Sequence, residues 1–73
     1  MKYYIVLSSV TVAQRLQKAL QDNGIRTTMV HTPKTITDGG CGYSLIVDSG
    51  NLDRALKVAE INAVKIKKVV VKK

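Results

Sequence analysis

The reactive chemistry that this chain offers is concentrated in one thiol. Cys41, its only cysteine, stands in the segment Asp38-Gly39-Gly40-Cys41-Gly42, with glycines on both sides. Glycines remove side-chain cover and let another backbone approach closely, so the segment predicts an accessible thiol on a loop. The opposite interpretation, an inert buried thiol, carries equal weight at this point, because free cysteine is among the most buried residue types and the pKa decides reactivity.

Few other side chains offer chemistry near this thiol. His31 is the only imidazole, and we interpret it as a surface residue at a strand end, with a role as a base for the thiol as the minor alternative. We assign Asp38 to a turn, since a carboxylate near the thiol would raise the thiol pKa. One cysteine and one histidine do not complete a tetrahedral metal site, and a lone cysteine forms no internal disulfide. We therefore expect no metal and no cofactor.

The length and charge of the chain restrict its class. Its 73 residues allow one domain, which we assign to residues 1–73, with a modest core. The N-terminal residues contain no apolar run long enough for a signal peptide or a membrane span, so we expect a cytoplasmic protein. The formal net charge of +7 favours acidic partners. Basic residues are scattered, as on a solubilising surface, except for a concentration at the C-terminal end: Lys65, Lys67, Lys68, Lys72 and Lys73.

Apolar periodicity predicts six short elements around the cysteine loop. Alternation with a period of two predicts strands, and recurrence at helical spacing predicts two helices. We interpret Thr11 with Gln14 as a capping box of the first helix and Asn51 as the N-cap of the second. In chain order the prediction is strand 2–8, helix 10–23, strand 25–31, strand 43–47, a helix with Leu52, Ala55, Leu56 and Ala59 on its apolar face, and strand 65–72.

This order predicts an α+β fold, a ferredoxin-like βαββαβ sandwich whose antiparallel sheet has both helices on one face. In that topology the connection between the second and third strands lies where the first strand ends and the first helix begins. Cys41 is therefore predicted to face Ser8 and Ser9, where unpaired amides and the helix dipole favour a thiolate. Lys34 on the loop and Lys65 at the last strand add positive charge in this hypothesis, although each alone is more typical of solvated surface.

Three segments of the chain carry a resemblance to a known family. They are residues 3–9 at the start, residues 32–37 with the sequence Thr-Pro-Lys-Thr-Ile-Thr, and the pair Cys41-Gly42. Together they resemble the family of small selenium/sulfur carrier-like proteins over essentially the whole chain.

The resemblance implies a role for each matching residue. Cys41 corresponds to the family's proposed carrier cysteine and Gly42 to its partner in a Cys-Gly pair, whereas Pro33 and Thr37 belong to the loop motif. Gly40 stands where small polar residues are more typical. The implied function is a carrier rather than an enzyme: it holds a persulfide or perselenide on Cys41 and works with a cysteine desulfurase or selenium-donor protein and with an acceptor enzyme.

Two other classes of function stay open. In the first, the chain is a small interaction or regulatory domain and Cys41 is incidental. Tyr4 and Val6 then form an apolar patch on the uncovered sheet face, and a homodimer is the simplest way to cover it. In the second, the sheet binds nucleic acid, which needs aromatic residues on that face. Since three tyrosines are the only aromatic residues, nucleic acid ranks last.

Overall fold

The computed structural model describes residues 1–32 and 42–72. Within them, apolar alternation and helical periodicity give four strands and two helices in the predicted β-α-β-β-α-β order. The elements are β1 Lys2–Leu7, α1 Val10–Asp22, β2 Thr28–His31, β3 Tyr43–Asp48, α2 Ser49–Ile61 and β4 Lys68–Lys72.

The strands form one antiparallel sheet in the order β2-β3-β1-β4. Because β1 and β2 both run antiparallel to β3, they are parallel to each other, and α1 connects them across β3. In the same way α2 connects β3 to β4 across β1. Two interlocked βαβ units of this kind make the split βαβ arrangement of the ferredoxin-like fold. The predicted fold class is confirmed.

Both helices cover the same face of the sheet. On that face β1 pairs Ile5 with Leu45 and Tyr3 with Val47, so these side chains meet the helices. Tyr4 and Val6 alternate with them and lie on the opposite face. The core between sheet and helices consists of Ile5, Leu7, Ala13, Leu16, Leu20, Ile25, Leu45, Val47, Ala55, Val58 and Ala59.

Two strands begin later than the alternation predicts. The second starts at Thr28 rather than Ile25, because Ile25 belongs to the turn that ends α1. The fourth starts at Lys68 rather than Lys65, because the residues before Lys68 form the connection from α2. Ile25 is nevertheless 1% exposed. Its apolar position in the alternating pattern therefore indicates burial, although Ile25 is not part of a strand.

Both helices end in a Schellman turn, in which a residue with positive φ follows the C-cap. Gly24 takes this position after α1, at φ 77°, as the Asn23-Gly24 signal predicts. Ala63 takes it after α2, at φ 55°, although alanine carries a Cβ. The paired hydrogen bonds run from the N–H groups of Gly24 and Ile25 to the carbonyls of Gln21 and Leu20, and from those of Ala63 and Val64 to those of Glu60 and Ala59.

The N-caps of both helices differ from the prediction. Ser9 caps α1, because its Oγ accepts a hydrogen bond from the Val12 N–H at 3.3 Å. Thr11 lies inside the helix, so the predicted capping box is wrong. The N-cap of α2 is Asp48, and Asn51, predicted to cap, is helical. Ser8 and Ser9 connect β1 to α1, whereas β3 leads directly into α2 at Asp48.

The buried face of α2 is also rotated from its predicted position. Its buried residues are Ala55, Val58 and Ala59, and Leu52 packs partly buried against the core. Leu56, predicted on the core face, is half-buried. Val58 and Ala59 lie three and four residues after Ala55, so these three side chains share the helix face toward the sheet.

Candidate functional site

Much of the predicted site falls within residues 33–41, which lie outside the described residues. This group comprises Pro33, Lys34, Thr37, Gly40 and Cys41, and their assigned roles stay predictions. The described members of the predicted site are Ser8, Ser9, Gly42 and Lys65.

The N-terminus of α1 lies directly after the end of β1. Ser8 and Ser9 alone connect Leu7 to the helix. Ser9 has an extended backbone (φ −151°, ψ 163°) and its hydroxyl is used in the cap, whereas Ser8 is exposed. The amides in the first turn of a helix lack intrahelical acceptors and form the positive end of its dipole. This end of α1 therefore attracts negative charge.

Gly42, the residue bonded to Cys41, lies against the end of β1. A Cβ built on Gly42 would stand 3.2 Å from the carbonyl oxygen of Leu7 and 3.4 Å from Oγ1 of Thr32. A larger residue would thus press on the backbone of a central strand. The Thr32 N–H also donates to the Gly42 carbonyl oxygen at 3.0 Å, one step beyond the paired residues of β2 and β3. Close approach explains why glycine suits this position.

A buried pair of hydroxyls supports the same end of the sheet. Thr32 Oγ1 and Ser44 Oγ are 2.7 Å apart, and the two side chains are 8% and 0% exposed. Ser44 pairs with Val6 and with Val30, so it points to the face away from the helices. Sequence reasoning missed this pair. Its one signal is a serine within an otherwise apolar run of β3.

His31 lies at the edge of the sheet beside this end. Its ring is tilted against that of Tyr43, with ring centroids 4.6 Å apart and planes at 37°. The two residues pair across β2 and β3, and Tyr43 in turn pairs with Leu7 of β1. His31 is exposed, as the surface interpretation predicts. Its role as a base stays a prediction.

The approach to β4 brings lysines to this end. The Lys67 N–H donates to the Val6 carbonyl oxygen at 2.9 Å, and Lys68 pairs with Val6. Since Val6 immediately precedes Leu7, the lysines lie beside the end of β1 from which α1 continues. Lys65 is exposed in the connection before β4, and its effect on the thiol stays a prediction.

The uncovered face of the sheet is less exposed than the sequence predicts. Tyr4 and Val6 do lie on it, but Val6 is 1% exposed and Tyr4 is half-buried. The prediction of an exposed apolar patch that includes Val6 is therefore wrong. Tyr3 and Tyr43 pack against the core on the helix side. Recognition of RNA by a four-stranded sheet stacks two or three bases on aromatic residues, and among the described residues this face offers Tyr4 alone.

The described ranges contain neither grouped metal ligands nor a membrane-spanning helix. In residues 1–32 and 42–72, no three His, Cys, Asp or Glu side chains are grouped so as to hold a metal ion. Over those same ranges no helix has the length and apolar character to cross a membrane; α1 and α2 contain 13 residues each.

A known family matches almost the entire chain. The family described as "Putative Se/S carrier protein-like" matches residues 2–71. The chain belongs to this family. The resemblance seen in the sequence is thereby confirmed at the level of the Se/S carrier-like family. No curated protein and no solved structure is significantly similar to the chain.

Three features of this Se/S carrier-like protein meet at one end of its sheet. The N-terminus of α1 follows β1, and Gly42 contacts Leu7, the last residue of β1. The backbone of Lys67, just before β4, lies beside Val6, the residue before Leu7. A negatively charged group at this end would meet the positive end of the α1 dipole.

Proposed function

We propose that this protein carries sulfur or selenium from a donor protein to an acceptor protein, as a persulfide or perselenide on Cys41. The position of Gly42 is the observation that supports the proposal most directly, since Gly42 is bonded to Cys41 and packs against Leu7 where α1 begins. Membership of the Se/S carrier-like family supports the choice of cargo. The presence of a single cysteine suits a carrier, which needs one nucleophile.

The transfer step balances without an external oxidant. The Cys41 thiolate attacks the terminal sulfur of a persulfide on the donor enzyme, so one S–S bond forms at Cys41 while the S–S bond of the donor breaks. The donor leaves as a thiolate. A thiolate of the acceptor then attacks the same terminal sulfur, and the Cys41 thiolate departs. Selenium follows the same balance when it occupies the terminal position.

Electrostatics at this end of the sheet favour both anionic forms of the carrier. A free thiolate and a terminal persulfide are each negatively charged, and a helix N-terminus stabilises such groups. Lys34 and Lys65 supply further positive charge in this proposal. These groups tune the reactivity of the thiol and the docking of partners, and none of them takes part in bond making.

An interaction or regulatory domain with an incidental cysteine is the second candidate function. One observation favours it: Val69 and Val71 of β4 are 37% and 36% exposed. A homodimer through the open sheet face has less support, because Val6 is buried there. Loss of function in Cys41→Ser separates the carrier from this alternative.

The test is transfer of a chalcogen to the purified protein. Incubation with a cysteine desulfurase and cysteine, or with the selenium counterpart, should add one sulfur or selenium atom to Cys41 in the intact-mass spectrum. Dithiothreitol should remove the addition, and glutathione capping is distinguished by its mass. Cys41→Ser should abolish loading with an unchanged circular dichroism spectrum.

A charge variant and its matched control refine this test. Lys34→Glu should slow loading without abolishing it, because a nearby charge affects the thiolate and donor docking. Lys18→Glu makes the same change in net charge on the exposed surface of α1 and should leave the rate within about twofold. If wild type and Cys41→Ser gave identical spectra after exposure to several unrelated donors, the carrier proposal would be abandoned in favour of the interaction domain.

A further inference from the structure

The sheet has a cleft at the end opposite to Gly42, because β2 is shorter than β3. β2 begins at Thr28, which pairs with Ile46, so in the described part of the chain Val47 and Asp48 pair with β1 alone. The connection from α1 to β2 and the end of β3 line a cleft of about 560 Å³. This volume lies in the range of sites for small molecules.

Buried apolar residues and several polar groups line this cleft. Ile25 and Val47 are each 1% exposed, and Gln17 and Gln21 come from α1. The side-chain amide of Gln17 donates to the carbonyl oxygen of Thr27 at 3.4 Å and so holds the connection against the helix. A mixture of this kind, in which a few fixed polar groups accompany apolar surface, is typical of sites that orient a small ligand.

The hydroxyl of Thr27 adds an unsatisfied polar group to the cleft. Its Oγ1 is buried and has no hydrogen-bond partner within residues 1–32 and 42–72. Buried polar groups normally have a partner, because the loss of hydration is otherwise uncompensated. Thr27 lines the cleft, and rotation about χ1 exchanges the positions of its hydroxyl and methyl groups. A ligand with an acceptor oxygen would give this hydroxyl a partner.

Three exposed charged side chains also line the cleft: Lys2, Arg26 and Asp48. Lys2 pairs with Asp48 across β1 and β3. Extension of the register between β2 and β3 beyond Thr28 would bring Arg26 level with Asp48 on the other side. Among the described residues, these three side chains make no ion pair or hydrogen bond. The cleft therefore presents one negative charge between two positive charges.

An acidic α-amino acid carries the complementary set of charges, two carboxylates and one ammonium. A neutral amino acid would leave one of the two cations without a partner. A dicarboxylate or a phosphate would place negative charge near Asp48 with nothing to compensate it. Because uncompensated like charges reject a ligand as effectively as opposite charges attract one, the three side chains together favour the acidic amino acid.

We propose that this cleft binds a free acidic α-amino acid, with its carboxylates toward Lys2 and Arg26 and its ammonium toward Asp48. One carboxylate oxygen accepts a hydrogen bond from Thr27. Lys2 and Leu7 stand at opposite ends of β1, about 17 Å apart at the usual rise of a strand. The inference is therefore separate from the carrier proposal, which concerns the end of β1 near Gly42.

NMR titration of the ¹⁵N-labelled protein with L-glutamate tests the inference. At low salt, saturable amide shifts should come from the lining of the cleft, at Thr27, Thr28, Val47 and Asp48. Glutamine and glutarate are the matched control ligands, since glutamine lacks one carboxylate charge and glutarate lacks the ammonium. Glutamate should bind at least about fivefold more tightly than either control, and this advantage should decrease as salt screens the charges.

Matched variants identify the partner of each charged group of the ligand. Asp48→Asn should remove the preference for glutamate over glutarate, because no carboxylate is left to meet the ammonium, and asparagine also suits an N-cap. Asp53→Asn, the same change at an exposed residue of α2, should keep the preference. Arg26→Gln should weaken glutamate binding about fivefold or more, whereas Arg15→Gln on the exposed surface of α1 should change it less than about twofold.

Several results would overturn the proposal. One is the absence of saturable shifts in the cleft up to about 10 mM glutamate. Equal affinity for glutamate and glutarate, or an unchanged preference in Asp48→Asn, would show that Asp48 does not recognise an ammonium. Inorganic phosphate that binds the same amides as tightly as glutamate would identify a general anion site. Cys41→Ser should bind glutamate as the wild type does, so failure of this proposal and failure of the carrier proposal are distinguishable.

Discussion

Removing one hydroxyl from the buried Thr32–Ser44 pair should destabilise the protein more than removing both. Ser44→Ala leaves Thr32 Oγ1 without its 2.7 Å partner in a residue that is 8% exposed, and Thr32→Val does the same to a fully buried Ser44. An unsatisfied buried hydroxyl costs about 1–3 kcal/mol. The double variant replaces both groups with apolar ones of similar shape, so this penalty disappears. The two substitutions should therefore be coupled by the sum of the two single losses, at least about 2 kcal/mol.

Urea and thermal denaturation of the wild type, both single variants and the double variant measure this coupling. Each single variant should lose about 5–15 °C in melting temperature, since 1 kcal/mol corresponds to about 4–8 °C in a domain of this size. Thr28→Val, at an exposed threonine of β2, serves as the control and should change stability by less than about 0.5 kcal/mol. If the losses of the two single variants simply added in the double variant, the hydroxyls would not share a hydrogen bond, and the argument would fail.

Three further predictions concern backbone conformation and the thiol. Ala63→Gly should raise the free energy of unfolding by about 1 kcal/mol in urea titration, because φ 55° places a Cβ in the left-handed region; a decrease would show that the turn tolerates alanine. Gly42→Ala should lower it by about 1–3 kcal/mol, since the new Cβ meets a backbone oxygen at 3.2 Å, whereas Gly50→Ala, which meets nothing within 4 Å in α2, should raise it by about 0.5–1 kcal/mol. If Gly42→Ala and Gly50→Ala changed the free energy of unfolding in the same direction, the argument from close approach would be contradicted. The pH profile of Cys41 alkylation should have its midpoint below the model thiol pKa of about 8.5, because the carrier proposal brings the thiolate near the helix dipole and lysines; a midpoint at or above that value would show that they do not reach the sulfur.

The fold was accessible from the sequence because its signals are local. Alternation in β1 and helical spacing in α1 each arise within one element, and Asn23-Gly24 marks the end of α1 by its own backbone preference. The connectivity rules then leave few arrangements for six elements in this order. The errors occur at the ends of elements. Thr11 and Asn51 carry good capping side chains, but the chain enters the helices earlier, at Ser9 and Asp48.

The details of the candidate site depend on contacts that no local pattern encodes. Gly42 entered the prediction as the partner of Cys41, yet its close approach to Leu7 joins residues from different strands and exists only once β1 and β3 are paired. The hydrogen bond between Thr32 and Ser44 likewise spans 12 residues. Hydroxyl residues occur in strands for many reasons, so their pairing follows from the register and is not visible in either residue alone.

The strand order explains which parts of the chain meet at the end of β1. β1 is central, so its last residues have a neighbour on each side. The carbonyl of Leu7 lies beside Gly42 toward β3, and the carbonyl of Val6 accepts the Lys67 N–H toward β4. The chain then turns at Ser9 into the N-terminus of α1. With β1 at an edge, either Gly42 or the lysines would be lost from this end. The central position of β1 therefore brings Gly42, the backbone before β4 and the N-terminus of α1 to the same end of the sheet.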